Sequence, residues 1–343
     1  MIQRIEGFEL PGLLFSSSFD SYAGPENPVF DYPGAQGGFA ESMSSCTAFQ
    51  DVLATSEAGW VIGGAILVEG GQPNNTMFIG LGNGTEMGFI ITFLKDGGNV
   101  NMVLRTGNLT GPAISSGTVS VFPLGNTDEW INFECKVLLK TDATGTVEVR
   151  KNGIVEPLVN LTGKNTVKFS MPDGCRTILF HTNSVGHFDD LRWLTTSGAA
   201  PNDFLGIKQV FGRPLEAVGV SSQFSPVGGA NNLVTLTDGL DTTYNASATN
   251  GARDLFSVED FTPVTSSVDA VQLQVRGGAA SLGTREVKLI MRESGGTEAL
   301  SDSFFITSLR RGGLTMITGE KPSGGAWDLT AADGLQVGYQ ISN

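Results

Sequence analysis

Charged residues are scarce in this chain: Asp, Glu, Lys and Arg together make up 16% of its 343 residues. Acidic residues outnumber basic ones, 35 against 21, which leaves a formal net charge of −14 at pH 7. A surface of this sign repels a phosphate backbone, because binding to nucleic acid depends on Lys and Arg that displace its counterions. The charge balance therefore excludes a nucleic-acid-binding function.

Long apolar runs are also missing. No apolar segment approaches the roughly 18 residues that a membrane-spanning helix requires. The opening stretch, MIQRIEGFELPGLLF, has no basic segment followed by a sustained apolar one, which a secretory signal peptide would have. We therefore expect a protein that is neither inserted into a membrane nor exported.

Cysteine and histidine are rare, with three and two residues. Since Cys46, Cys135 and Cys175 are odd in number and no export signal precedes them, we expect free buried thiols rather than disulfides. A zinc site made of Cys175, His181 and His187 is disfavoured, because structural zinc requires four ligands at tighter local spacing. A Ser-His-Asp hydrolase is disfavoured because the chain has no Gly-x-Ser-x-Gly turn.

Glycine is abundant, with 46 residues in 343 against an average of about 7%. Glycine is costly inside helices and useful in tight turns, and the accompanying Val and Thr favour strands. Apolar and polar residues alternate along many short segments, whereas no convincing helix-period segment longer than about ten residues is present. The composition predicts an all-β protein.

The clearest strand is predicted at residues 131–139, where every second residue is apolar. A second strand, at 146–151, runs into Asn152-Gly153, a pair that favours a β-hairpin. Further strands are predicted at 60–68, 77–81, 88–93, 101–105, 177–181, 188–194, 233–237, 268–276, 285–292, 304–309 and 335–341.

The stretch TTSGAAP, at 195–201, is small, polar and ends in proline, as is typical of a boundary between domains. We therefore predict a first domain at 1–195, a linker at 196–201 and a second domain at 202–343, which is a second β-sandwich and begins with a strand.

Asp189 and Asp190 are the most conspicuous pair of carboxylates. As neighbours in a strand they would point to opposite faces of the sheet, so they do not suit a paired acid and base. One of them could bind Ca²⁺, but the Asp-x-Asp-x-Asn-Gly loop of known calcium sites is missing, so a structural role at the strand end is favoured. No motif nominates a glycosidase pair among the acidic residues. We predict no catalytic residue and no cofactor.

The four tryptophans allow two interpretations. Trp60, Trp130, Trp193 and Trp327 could include a platform on which sugars stack, yet an indole more often packs in the core. We therefore favour packing for each of them.

Three stretches of the first domain carry a family resemblance: IEGFE, EWINFECKVLLKTDATGTVEVRKNGIV and HFDDLRWL. They resemble the concanavalin A-like, laminin-G-like jelly rolls, the last stretch being similar to the final strand of that fold. The resemblance implies a β-sandwich over about residues 1–195. Family members that bind sugars or Ca²⁺ use loop residues at one rim or face of the sandwich.

The second half contains NDFLGIKQVFGRPLEAVG, LTDGLDTTYNASATNGARDLFSVEDF and SGGAWDLTAADGLQVGYQI. It resembles a β-rich domain that follows such jelly rolls in virion proteins of tailed bacteriophages. The resemblance implies a structural protein of a phage particle that is assembled in the bacterial cytoplasm and exposed on the tail, a fibre or the capsid.

These observations lead to two functional expectations. The first is a non-enzymatic virion protein that forms homo-oligomers and docks onto other phage structural proteins. The alternative is a carbohydrate-binding, receptor-recognition module in which exposed aromatic residues and rim Asp or Asn side chains hold glycans of the host surface.

Overall fold

A computed structural model gives the fold of this protein. It describes residues 2–6, 21–23, 29–33, 39–42, 47–68, 76–83, 86–114, 121–152, 159–168, 172–182, 186–197, 202–208, 213–237, 242–260, 268–279, 284–307 and 312–342. These residues fall into two compact units, one running from residue 2 to 208 and the other from residue 213 to 342.

The first unit consists of short strands separated by turns. Its strands are β1 (Ile2–Glu6), β2 (Ser21–Ala23), β3 (Val29–Pro33), β4 (Phe39–Ser42), β5 (Thr47–Glu57), β6 (Gly59–Val68), β7 (Thr76–Asn83), β8 (Glu86–Asp96), β9 (Asn99–Thr106), β10 (Phe122–Asn126), β11 (Ile131–Leu138), β12 (Gly145–Lys151), β13 (Val159–Lys164), β14 (Cys175–Thr182) and β15 (Gly186–Thr195).

These strands form two antiparallel sheets. The eight-stranded sheet has the order β13-β12-β11-β6-β15-β4-β3, with β1 also paired to β15. The seven-stranded sheet has the order β10-β9-β8-β7-β14-β5-β2. Among the described strands, seven of the thirteen pairings in the two sheets join strands that are not consecutive in the chain, as in a jelly roll.

Aromatic side chains fill the space between the two sheets. Phe93 of β8 meets Phe133 of β11 edge-on, with ring centroids 5.2 Å apart. The ring centroids of Phe180 in β14 and Trp193 in β15 lie 5.0 Å apart. Each buried side chain of this kind stabilises the fold by about 1.5–3 kcal/mol. Because each contact joins one sheet to the other, the first unit is a β-sandwich, and the predicted all-β class is confirmed.

The strand predicted at 131–139 is β11, and its odd-numbered residues are buried as expected. Glu134 departs from the alternation, because it is also buried although it faces away from the core. After β12, Asn152 adopts the left-handed φ of 51° that the Asn-Gly pair predicts. However, Val149 pairs with Val159, so the connection to β13 is longer than a two-residue hairpin.

A β-bulge interrupts β15 at the two adjacent aspartates. Asp189 pairs with Ala65 of β6, whereas Arg192 pairs with Gly63, so three steps along β15 correspond to two along β6. Asp190 takes up the extra residue with a left-handed φ of 50° and is buried.

The bulge shifts the side-chain alternation of β15 by one position. Phe188 and Trp193 consequently both face inward, although an odd number of steps separates them. The regular alternation that the sequence predicts through Asp189 and Asp190 is therefore interrupted, and Arg192 faces outward.

A buried ion pair lies on the outer side of the eight-stranded sheet as a result. Gly63 pairs with Arg192 on one side and with Glu134 on the other. The guanidinium of Arg192 and the carboxylate of Glu134 approach to 3.3 Å across it, with side chains 4% and 5% exposed. A Cβ at Gly63 would lie 2.9 Å from Cζ of Arg192. Position 63, between Arg192 and Glu134 in the sheet, therefore requires glycine.

The 202–208 segment covers the ion pair. The backbone N–H groups of Leu205 and Gly206 donate to the two carboxylate oxygens of Glu134 at 2.9 Å each. Arg192 donates to the carbonyl of Gly206 at 2.6 Å. Buried ions need such additional hydrogen bonds, because their mutual attraction alone seldom offsets the loss of hydration.

Side-chain contacts hold the same segment at its start. The guanidinium carbon of Arg150 lies 3.8 Å from the ring centroid of Phe204. Lys136 and Asp203 form an ion pair at 2.9 Å, and the hydrogen bond to Lys136 lowers the pKa of Asp203.

The position of this segment differs from the predicted domain boundary. A linker is expected at 196–201 and a strand from residue 202, but the 202–208 segment has no regular secondary structure and packs against the first unit. Residues 198–201 lie outside the described residues. The backbone groups of Leu205 and Gly206 bond to the buried ion pair and not to a neighbouring strand.

Cys135 and Cys175 are free and buried in the first unit. Desolvation raises the pKa of both thiols, that of Cys175 to about 12. They are therefore uncharged at neutral pH. Cys46 lies outside the described residues.

The second unit is also mainly β. Its elements are β16 (Leu215–Ser222), β17 (Ser225–Val227), α1 (Val234–Thr237), β18 (Tyr244–Ala246), β19 (Arg253–Val258), β20 (Val271–Gly277), β21 (Thr284–Arg292), β22 (Glu298–Leu300), β23 (Phe304–Thr307), β24 (Gly312–Thr318), α2 (Leu329–Asp333) and β25 (Gln336–Ile341).

A six-stranded sheet, ordered β16-β19-β25-β21-β22 with β23 also paired to β21, forms its largest layer. Leu273 of β20 and Met316 of β24 join Phe256, Leu289 and Val337 of that sheet in one apolar core. The pair β20-β24 thus packs on the six-stranded sheet. Among the described residues, neither helix is long and apolar enough to cross a membrane.

The strand predicted at 233–237 is wrong, because this stretch forms the short helix α1. The side chain of Asn231 accepts hydrogen bonds from the N–H groups of Leu233 and Val234, both at 3.0 Å. Such a cap starts a helical turn despite the β-branched residues that follow. Asn232 next to it donates to the buried carboxylate of Asp254 at 2.7 Å and anchors the turn.

The ion pair generates a prediction about stability. We expect Glu134→Met to lower the free energy of unfolding of the first unit by about 3–5 kcal/mol, because Arg192 is then buried without its counter-charge. The double variant Glu134→Met/Arg192→Met should lose clearly less. Urea unfolding followed by tryptophan fluorescence measures both, and equal losses in the two variants would contradict this account.

Candidate functional site

Strand alternation defines a surface on the outer face of the seven-stranded sheet, the side turned away from the eight-stranded sheet. Because Phe93 and Phe180 face inward, the adjacent Thr92 and His181 face outward. Phe78 lies opposite both of these residues in register. Two outer-face rows therefore cross β14, β7, β8 and β9 in that order: His181, Phe78, Thr92 and Val103 in the first, and Leu179, Gly80, Ile90 and Arg105 in the second.

His181 stacks on Phe78, with ring centroids 4.6 Å apart and planes inclined by 11°. Its Nδ1 is buried and has no hydrogen-bond partner. Burial lowers the pKa of His181 from its ordinary 6.5. The imidazole is therefore neutral at pH 7, with one ring nitrogen able to donate and the other to accept.

Two further polar groups of the outer-face rows lack partners. The hydroxyl of Thr92 is buried and makes no hydrogen bond. Arg105 donates from Nη1 to the carbonyl of Gly111 at 2.9 Å, but its buried Nε has no partner. A buried polar group without a partner costs about 1–3 kcal/mol. Three such groups in two adjacent rows point to a partner from outside the chain.

Apolar side chains surround these polar groups. Ile90 and Val103 are buried, and Leu179 is half-buried. Neighbouring strands lie about 4.8 Å apart, which places His181 and Thr92 about 10 Å from each other. The rows therefore combine donors and acceptors with apolar side chains over the dimensions of a small ligand. Their described side chains include no carboxylate.

A cavity of about 330 Å³ lies beside the turn that follows β9. Its lining residues are Thr106, Pro112, Ala113, Ile114, Lys164 and Asn165. Arg105 bonds to the same turn through Gly111 and pairs with Ala113. Thr106, which lines the cavity, directly follows Arg105 of the second outer-face row in the sequence.

The aspartates singled out from the sequence do not form part of this surface. Asp190 lies in the bulge of the other sheet, where its carbonyl accepts a hydrogen bond from Arg192 at 3.2 Å. The side chain of Asp189 lies outside the described residues. A calcium site there, like the expected lack of catalytic residues and cofactors, stays a prediction.

The three residues considered for zinc are not brought together. Cys175 and His181 lie on β14, whereas His187 lies on β15. Since Phe180 and Phe188 meet inside the sandwich, the adjacent His181 and His187 face opposite outer sides. Within the described ranges, no group of three or more His, Cys, Asp or Glu residues could hold a metal ion.

Three of the four tryptophans pack in the cores. Trp60, Trp193 and Trp327 are at most 4% exposed. The indole N–H groups of Trp60 and Trp327 donate to backbone carbonyls at 3.0 and 3.1 Å. Trp130 is half-buried. The first three indoles therefore offer no exposed platform for a sugar.

Sequence reasoning missed Thr92 and Arg105. The signal was present in GFIITFLKD, where Thr92 interrupts a run of apolar residues inside a strand. Only the register of β8 with its neighbours shows that Thr92 shares a face with His181 and Arg105.

Comparison with family models finds no match, and no curated protein matches the chain. Solved structures do match. An endo-beta-1,4-glucuronan lyase from the fungus Trichoderma reesei is 11% identical, with a TM-score of 0.39, over 57% of this chain and 96% of that one. The carbohydrate recognition domain of Emp47p is 6% identical, with a TM-score of 0.31, over 50% and 86%. The CBM2 module of the Lactobacillus casei BL23 phage J-1 evolved Dit is 7% identical, with a TM-score of 0.30, over 55% and 88%.

At these identities and TM-scores the likeness concerns the fold alone. It nevertheless corrects one expectation. The prediction that the chain is not an enzyme rested on its resemblance to structural proteins. It is wrong, because the matched structures include a polysaccharide lyase.

The hydroxyl of Thr92 yields a prediction about stability. We expect Thr92→Val to raise the free energy of unfolding by about 1 kcal/mol, because it removes a buried polar group that has no partner. Thr166→Val is the matched control, since the buried Thr166 hydroxyl donates to the carbonyl of Leu138 and accepts from the N–H of Lys140, both at 2.8 Å. It should lower the free energy of unfolding. Urea unfolding that shows the same sign for both variants would refute the assignment.

His181 yields a prediction about pH. Its pKa in the folded protein lies below the unfolded value of about 6.5, so the unfolded state takes up a proton first as the pH falls. Stability should therefore decrease from about pH 7 to about pH 5. In His181→Phe, which retains the ring stack on Phe78, the decrease should be smaller. Unfolding free energies at the two pH values test this, and an unchanged decrease would show that His181 is not the group responsible.

Proposed function

We propose that this protein binds carbohydrate through the outer-face rows of its first unit. The observation that carries the proposal is the set of three unpartnered polar atoms, Nδ1 of His181, Oγ1 of Thr92 and Nε of Arg105, in two adjacent rows of one sheet face. Each represents a hydrogen bond that the protein itself leaves unmade.

The chemistry of these atoms suits sugar hydroxyls. A hydroxyl both donates and accepts, so it can bond to the neutral imidazole of His181, to the hydroxyl of Thr92 and to the guanidinium of Arg105. Among the apolar side chains of the rows, Leu179 is half-buried and offers surface for the C–H groups of a sugar ring, whereas Ile90 and Val103 are buried. Binding sites for small molecules typically combine a largely apolar lining with a few placed polar groups.

The opposite side of the sandwich is less suited to this role. There the 202–208 segment already bonds to Glu134 and to Arg192 and covers them. A ligand would have to displace these charge-assisted hydrogen bonds. The seven-stranded sheet is therefore the face to which we assign the ligand.

The setting of this function is part of the proposal. We place the protein in the virion of a tailed bacteriophage, assembled in the bacterial cytoplasm, on the strength of its sequence resemblance; detection by mass spectrometry in purified particles tests this. Exposed apolar side chains of the second unit, Val220 at 63% and Phe305 at 69%, favour contacts of that unit with further copies or with other virion proteins.

Binding of the full chain to a glycan array, followed by calorimetric titration of the saccharides retained, tests the proposal. We expect at least one saccharide to bind. Thr92→Val should weaken the affinity for it about 5- to 10-fold, because one hydrogen bond to the saccharide is lost. Thr166→Val should bind normally although it is less stable. Chromatography of the incubated saccharide shows in the same samples whether it is cut.

Two results would contradict the proposal. One is the absence of binding to every saccharide of the array by a chain that is folded. The other is binding that Thr92→Val leaves as tight as in the unaltered protein, because the saccharide then lies elsewhere.

A further inference from the structure

Arg105 distinguishes the outer-face rows from a site for neutral sugars. Its guanidinium is half-buried and, among the described residues, donates to the carbonyl of Gly111 alone. Among the described residues, no carboxylate lies within ion-pair distance of it. The chain has 35 acidic and 21 basic residues, so an arginine without a counter-charge is unexpected.

Among the described residues, the other half-buried arginines are paired with carboxylates. Arg150 pairs with Glu148 at 2.8 Å, and Arg253 pairs with Glu298 at 2.5 Å. Removing a charge from water is costly unless an opposite charge accompanies it. An anion supplied from outside would complete the same pairing for Arg105.

The surroundings of Arg105 do not oppose an anion. Apart from Arg105 itself, the described side chains of both outer-face rows are apolar, hydroxylic or imidazole, and none is acidic. The charges that make up the net charge of −14 are distributed over the whole chain. At 0.1 M ionic strength, salt screens the repulsion from charges more than about 10 Å away. Short-range bonding to the guanidinium therefore decides the preference.

We propose that the saccharide bound at the outer-face rows is a uronate, with one sugar carboxylate paired to Arg105. This inference rests on the proposed function and specifies its ligand class. A guanidinium forms two parallel hydrogen bonds with a carboxylate, and Nε, which has no partner in the chain, is one of the donors for such a pair. His181 and Thr92 then hold hydroxyls of the same or the adjoining sugar ring.

The test uses matched ligands. Oligogalacturonate, oligomannuronate and oligoglucuronate are each titrated into the full chain beside their methyl esters, which keep the sugar backbone and remove the charge. We expect at least one uronate to bind about 10- to 100-fold more tightly than its ester, the worth of a charged hydrogen bond. In Arg105→Gln this preference should fall to about one.

Arg285→Gln is the charge-matched control, because Arg285 is exposed on β21 in the second unit. It should keep the preference. Esters that bind as tightly as the acids, or neutral saccharides that bind while all uronates fail, would overturn the inference and leave the proposed function standing. A folded chain that binds neither class would overturn both.

Discussion

The inward packing of aromatic residues is the constraint on which the first unit depends. Phe93 against Phe133 and Phe180 against Trp193 determine which side of four central strands faces the core. Since side chains alternate along a strand, the same contacts determine which residues appear on the two outer faces. The polar chemistry of the protein is therefore a consequence of its apolar core.

The buried polar groups of the two outer faces differ in how they are hydrogen-bonded. On the eight-stranded sheet, the bulge at Asp190 turns Arg192 outward, Gly63 lets it reach Glu134, and the 202–208 segment supplies further hydrogen bonds. On the seven-stranded sheet, polar atoms of His181, Thr92 and Arg105 stay without partners in two adjacent rows, whereas on the other sheet Oδ1 of Asn132 is also buried without one. A protein that leaves such bonds unmade gives up stability, which is typical of a surface that serves a ligand.

Sequence alone predicted the parts of the fold that depend on local pattern. The alternation of β11 and the all-β class follow from the period of apolar residues. It could not predict what depends on contacts between distant segments: the bulge in β15, the packing of the 202–208 segment on the first unit, or the helix α1, which Asn231 starts by capping. The candidate site has the same origin, because only sheet register brings Thr92, His181 and Arg105 together.

The most direct test of the central claim is the change in backbone amide signals by nuclear magnetic resonance when the most tightly bound saccharide is titrated into the protein. We predict that the affected amides belong to β7, β8, β9 and β14, around Phe78 and Thr92. Changes confined to the 202–208 segment and β11, or no change at a saturating concentration, would contradict the account.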